Sequence, residues 1–254
     1  MSIKNKNKFK FFNLLLPITI LAYFLSMLKA WWPGQMSRDS LDQYLMSLNI
    51  LPISDWHPPV MALLWRFLNH IIGISSPSTL FVFHLLLYLL GLYLCIIYLT
   101  KNNFVRVLIF IIFCAFISSQ QIVIWKDTGM VGALLIAIGS SLMLTKTKIN
   151  WKKNTLLFFG IFSLVYATSI RWNVLPSIVL VSFLLIYSYF GQKLKPKIFP
   201  LSFVLLGFLF ISSNLLNYSL VKVEKTYPLQ HIFIYDIVGV SVRSTGETKN
   251  RFSN

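Results

Sequence analysis

Seven apolar runs, each near the roughly 20 residues that cross a bilayer as a helix, alternate with short polar segments along the chain. They cover about residues 11 to 30, 78 to 99, 105 to 124, 128 to 145, 155 to 170, 174 to 191 and 199 to 221. The pattern predicts an all-α, polytopic transmembrane helix bundle of about seven spans, residues 1–221, followed by an external tail, residues 222–254.

The polar segments then sort by charge. With the lysine-rich start inside, the inner segments hold Lys4, Lys6, Lys8 and Lys10, then Lys101 and Arg106, then Lys146, Lys148, Lys152 and Lys153, then Lys193, Lys195 and Lys197. None of those segments carries an acid. Asp39, Asp42, Asp55, Asp127, Glu224, Asp236 and Glu247 all fall on the other side. Every loop thereby obeys the positive-inside rule, with the N-terminus cytoplasmic and the acidic face external. No small-residue cleavage site follows the basic start, and the first run leads into Lys29 and an interface-type Trp31-Trp32 pair, so an uncleaved first span is expected.

Residues 31–77 form the one long external loop before the tail. Within it, Pro59 to Ile74 places Arg66, Asn69 and His70 at helical spacing among Val60, Leu63, Leu64, Phe67, Leu68 and Ile71. A helix lying in the membrane interface fits, with Pro58 and Pro59 suited to its first turn. An eighth short span would bury Arg66 and His70 and invert every later loop. The fourth run carries Gly129, Gly132, Ala133, Ala137, Gly139 and Ser140, small residues that let another helix approach, and is expected at the centre of the bundle.

Composition narrows the class. A chain that is 56% hydrophobic, 12% charged and of mean hydropathy +0.71 is an integral membrane protein, since a soluble surface needs about twice that charge. The net charge of +16 does not point to nucleic acid, because there is no contiguous soluble basic domain to bind it. Cys95 and Cys114 sit inside apolar runs and read as buried thiols.

Short polar clusters close the ends of the apolar runs on the external side. Asp39 and Asp42 follow the first span beside Arg38; such a carboxylate can act as general base toward an acceptor hydroxyl, or cap a helix starting at Ser37. Lys126-Asp127 follows Trp125, and Arg171-Trp172-Asn173 repeats the arrangement between the fifth and sixth runs. The adjacent lysine and aspartate allow a structural ion pair and the cations allow snorkelling anchors. Equally, two tight hairpins that each bear a cation can hold a phosphate at headgroup level. His57, between Trp56 and two prolines, allows a metal ligand, a phosphate donor or a helix cap. No acidic partner stands at metal spacing, so no metal or other cofactor is assigned.

The order of these elements resembles the polytopic GT-C glycosyltransferases, among them protein O-mannosyltransferases and lipid A aminoarabinose transferases. The resemblance rests on a short cytoplasmic start, one span, a large external loop with an early aspartate, and the stretch His57-Pro58-Pro59-Val60-Met61-Ala62-Leu63-Leu64-Trp65, similar to that family's His-Pro-Pro segment and interfacial helix. It covers roughly residues 10 to 240. It implies a sugar donor on a polyprenyl phosphate, an extracytoplasmic glycan, lipid or protein acceptor, Asp39 as base with Asp42 as its alternative, and donor-phosphate contacts from Lys126, Arg171 and Arg38. His57, Asp127, Trp172 and Asn173 would bind substrate or support the site. Family members are longer, so the chain reads as a truncated product whose tail begins a further region. The expected setting is a bacterial inner or plasma membrane. A transporter or flippase of a lipid-linked or sugar substrate, and an inactive truncated transferase acting as a scaffold, are the alternatives.

Overall fold

In a computed structural model of the chain, residues 3–191 and 195–226, with Ile234, Ile237 and Val238, are described. Asp236, Glu247, Lys193 and most of the tail lie outside these residues, as does the side chain of Trp172. The described chain is helical: α1 (Ile3–Trp31), α2 (Arg38–Ser47), α3 (Val60–Ile72), α4 (Ser78–Leu99), α5 (Asn103–Gln121), α6 (Lys126–Lys146), α7 (Asn150–Ile170), a 3-10 turn (Trp172–Val174), α8 (Leu175–Phe190) and α9 (Lys195–Tyr218).

Five of these helices are long and apolar enough to cross a membrane, over Leu14–Trp31, Ser78–Leu99, Lys126–Lys146, Asn150–Ile170 and Pro196–Tyr218, compatible with an integral membrane protein. The runs expected at 105 to 124 and 174 to 191 are shorter apolar helices, Asn103–Phe116 within α5, and α8. Ser118, Ser119, Gln120 and Gln121 make the end of α5 polar, and a glycine follows α8 at residue 191.

The centre is a seam between α4 and α6. Small residues set it: a Cβ on Gly91 would stand 2.6 Å from Leu135 Cβ and 2.7 Å from the Ile136 backbone nitrogen, and one on Gly139 would stand 2.5 Å from Leu94 Cβ. Only glycine lets the two backbones come so close, and close approach maximises dispersion where lipid supplies no hydrophobic drive. Gly129 meets His84, Gly132 meets Tyr88, and Lys146 reaches the Tyr98 carbonyl, so residue numbers rise together along both helices. The pair is parallel, and α5 carries the chain back between them. At 1.5 Å per residue its 19 residues reach on the order of 28 Å, close to the hydrocarbon thickness.

Two buried clusters flank this seam. One joins α1, α3, α4 and α5 through Trp65, Leu80, Phe81, Tyr88 and Phe110; the other joins α6 to α9 through Ala133, Leu164, Ile178, Leu185 and Leu209. Met130 of α6 and Tyr166 of α7 pack against both. Tyr166 also hydrogen-bonds His84 Nε2 at 2.8 Å, which gives a buried polar group inside the bundle the partner it needs.

Candidate functional site

Every polar cluster singled out above lies at one end of the bundle, where α1, α5, α7 and α9 finish and α4, α6 and α8 begin. After α1, Gln35 forms a parallel bridge with Val123: its N–H donates to the Ile122 carbonyl at 3.0 Å, and its own carbonyl accepts from the Ile124 N–H at 2.9 Å. This pins the entry to α2. Ser37 then caps α2, its Oγ accepting from the Ser40 N–H at 3.3 Å, and Ser40 Oγ donates to the Ile124 carbonyl. The cap is therefore the serine, and Asp39 is left in the first turn with its carboxylate 58% exposed. Arg66 of α3 holds the other end of α2, donating to the carbonyls of Met46 (2.7 Å) and Ser47 (3.1 Å). Two residues of the expected polar face of α3 are thus used for packing, since Asn69 also accepts from Thr79 Oγ1 at 2.6 Å, while His70 stays exposed.

A cleft of about 380 Å³ opens here, lined by Arg38, Asp39, Ser40, Gln43, Trp125, Lys126, Asp127 and Arg171 among others. Three segments far apart in sequence contribute its charges. Arg171 Nε sits 3.0 Å from Asp127 Oδ1 and donates to Asn173 Oδ1 at 2.9 Å. Lys126 Nζ donates to His57 Nδ1 at 2.8 Å. Since an ammonium can only donate, His57 carries its proton on Nε2, which faces Asp39 Oδ2 at 3.5 Å, close enough for charge interaction but without a hydrogen bond. Burial first, then the Lys126 ammonium, hold His57 below the ordinary imidazole range; Asp39 and Asp42 pull it the other way.

The structure therefore decides two of the alternatives. Lys126 and Asp127 do not pair with each other; each takes a partner from elsewhere, because adjacent side chains at the start of a helix point apart. His57 does not cap α3, whose first N–H, at Val60, is taken by Asn217 Oδ1 at 2.9 Å. Neither hairpin cation stands unpaired: His57 occupies one and Asp127 the other. Asp42 is not among the lining residues, though it lies near enough to influence His57.

Several contributors carried no sequence signal. Asn217, fully buried, also donates to the carbonyls of Ser169 (3.0 Å) and Ser213 (3.0 Å) and so joins α3, α7 and α9. Asp55 accepts from both the N–H and the hydroxyl of Thr226, tying residues 221–226 to the first loop. Gln43 is buried in the cleft wall with an Oε1 that has no hydrogen-bond partner, an acceptor available to a hydroxyl of a ligand. A polar side chain amid an apolar run could have flagged Asn217, but nothing local distinguishes it from Asn214, three residues earlier. Comparison with protein-family models, curated proteins and solved structures returns no match to this chain.

Proposed function

We propose that the chain is a membrane glycosyltransferase of GT-C type that moves a sugar from a polyprenyl-phosphate donor to an extracytoplasmic acceptor. The observation that carries this reading is the cleft that sets Asp39 among Arg38, Lys126 and Arg171. A phosphodiester entering it meets guanidinium and ammonium donors at the start of α6, where the helix dipole adds to their field. Asp39 accepts the proton of the acceptor hydroxyl as its oxygen attacks the anomeric carbon with inversion. The cations stabilise the charge that grows on the leaving phosphate. Gln43 would read a hydroxyl, Asn173 would support Arg171, and Trp125 would stand at the interface. No nucleotide loop is needed, and the chemistry requires no cofactor from the residues assigned.

In this reading all seven apolar helices cross the membrane, α5 and α8 included, with the N-terminus cytoplasmic and the cleft on the external face of a bacterial inner or plasma membrane. Support comes from the parallel run of α4 and α6, which obliges α5 to traverse the same distance, and from the charge asymmetry of the loops. The exposed Phe67, Ile71, Ile72 and Ile74 would set α3 against lipid at the interface.

The test is transfer by the full-length chain, in proteoliposomes, from a radiolabelled polyprenyl-phosphate sugar. Asp39→Asn should lower the rate by about 100-fold or more while donor binding persists. A wild-type rate in that variant removes Asp39 from the chemistry. Sugar uptake without a covalent product would favour the transporter, and a folded protein with no donor retention would favour the scaffold.

A further inference from the structure

His57 does not line the cleft, yet it touches two residues that do. Its Nδ1 accepts from Lys126, the cation proposed for the donor phosphate, and its Nε2–H faces Asp39, the base proposed for the acceptor. One ring thus separates the two halves of the reaction. With 7% of its surface exposed, it cannot rearrange freely, and its protonation state must follow the charges around it. Those charges are Asp39 and Asp42 on α2 and Lys126 on α6, with Asp127 and Arg171 beyond the lysine.

An imidazole that accepts from an ammonium has no lone pair left for a proton. A phosphodiester bound at Lys126 changes this in two ways. It draws the Nζ–H donors toward its own oxygens, freeing Nδ1, and it cancels the positive charge that opposed a second one nearby. We propose that His57 is a positioning residue that takes up one proton on Nδ1 when an anionic phosphodiester occupies the cleft. The resulting imidazolium pairs with the Asp39 carboxylate and fixes its orientation toward the acceptor. Seating of the donor is thereby reported to the base, and donor binding comes first. This rests on the phosphate reading of the cleft.

The experiment uses a probe that cannot itself titrate near neutral pH: a short-chain phosphatidylglycerol, a phosphodiester, added to the full-length protein in a neutral maltoside detergent. Binding is followed by calorimetry at pH 7 in two buffers of different ionisation enthalpy, and across pH 8 to 6. The wild type should take up a substantial fraction of a proton per ligand, and its Kd should tighten by about three- to tenfold from pH 8 to 6. His57→Asn, whose amide oxygen can still accept from Lys126 but cannot be charged, should show neither effect; His57→Gln serves if that variant does not fold. Wild-type binding without proton uptake, or weakening toward acid pH, overturns the coupling and leaves the phosphate reading intact. Uptake that persists in the His57 variants assigns the proton to another group and also overturns it. No binding by the wild type at any pH overturns the coupling and the phosphate reading together.

Discussion

Cations sit at both ends of the bundle, and they are bonded differently. At the end away from the cleft, Arg106 donates to the carbonyls of Thr100 (2.8 Å) and Ile97 (3.4 Å) as well as to Asn103 Oδ1 (2.8 Å), and Lys146 donates to the Tyr98 carbonyl (2.8 Å) while lying 3.9 Å over its ring. These bonds satisfy carbonyls left over where α4 stops. At the cleft, Lys126 and Arg171 are held instead by side chains, His57 and Asp127. A carbonyl at a helix end moves only if the helix frays, whereas the imidazole of His57 can change its proton and the half-exposed Asp127 carboxylate can turn aside. The first kind of cation belongs to the architecture; the second can be passed to a ligand.

That contrast can be broken in several places. The largest effect is expected at Asn217, which satisfies main-chain groups although it lies at the cleft end. Asn217→Ala strands the Val60 N–H and the Ser169 carbonyl in a buried site and should cost about 2–4 kcal/mol, read as a lowered unfolding midpoint in detergent. Next comes Arg171→Ala, predicted to weaken binding of the phosphodiester by tenfold or more, about 1.4 kcal/mol. Its counterpart Arg106→Ala should lower stability by about 1 kcal/mol and leave that affinity within about twofold. Equal effects of the two on binding would erase the distinction between the ends.

The smallest effect is the pH dependence of stability due to His57. Its folded proton affinity lies below the ordinary value of 6.5, so the unfolded chain protonates first as pH falls. Its contribution is whole above about pH 6.5 and is lost as pH drops from there toward the lower folded value. Thermal unfolding at pH 8, 6.5 and 5.5 should show a decline that is shallower in His57→Asn.

How far the sequence foretells this arrangement depends on the range of the interaction. Hydropathy is local, and it places α4 at its observed limits, 78 to 99, with α6 and α7 close to theirs. It runs a few residues past the end of α5 and onto the glycine that follows α8. The small residues of the fourth run point to a central helix, and α6 is central, although its parallel pairing with α4 depends on where α5 leads. For the site, the clusters around Asp39, Lys126 and Arg171 meet at one end of the described bundle. Their pairing escapes such reading: His57 and Lys126 lie 69 positions apart, and an adjacent aspartate was the nearer partner for that lysine.

The bond from the Val60 N–H to Asn217 spans 157 positions. At ribosomal speeds of about 5–20 residues per second, the amide that closes the start of α3 emerges roughly ten to thirty seconds after α3 itself. The start of α3 therefore waits through the synthesis of six helices before this bond can form, and a nascent chain stopped short of α9 would own the cleft's charges without the brace that holds α3 beside them.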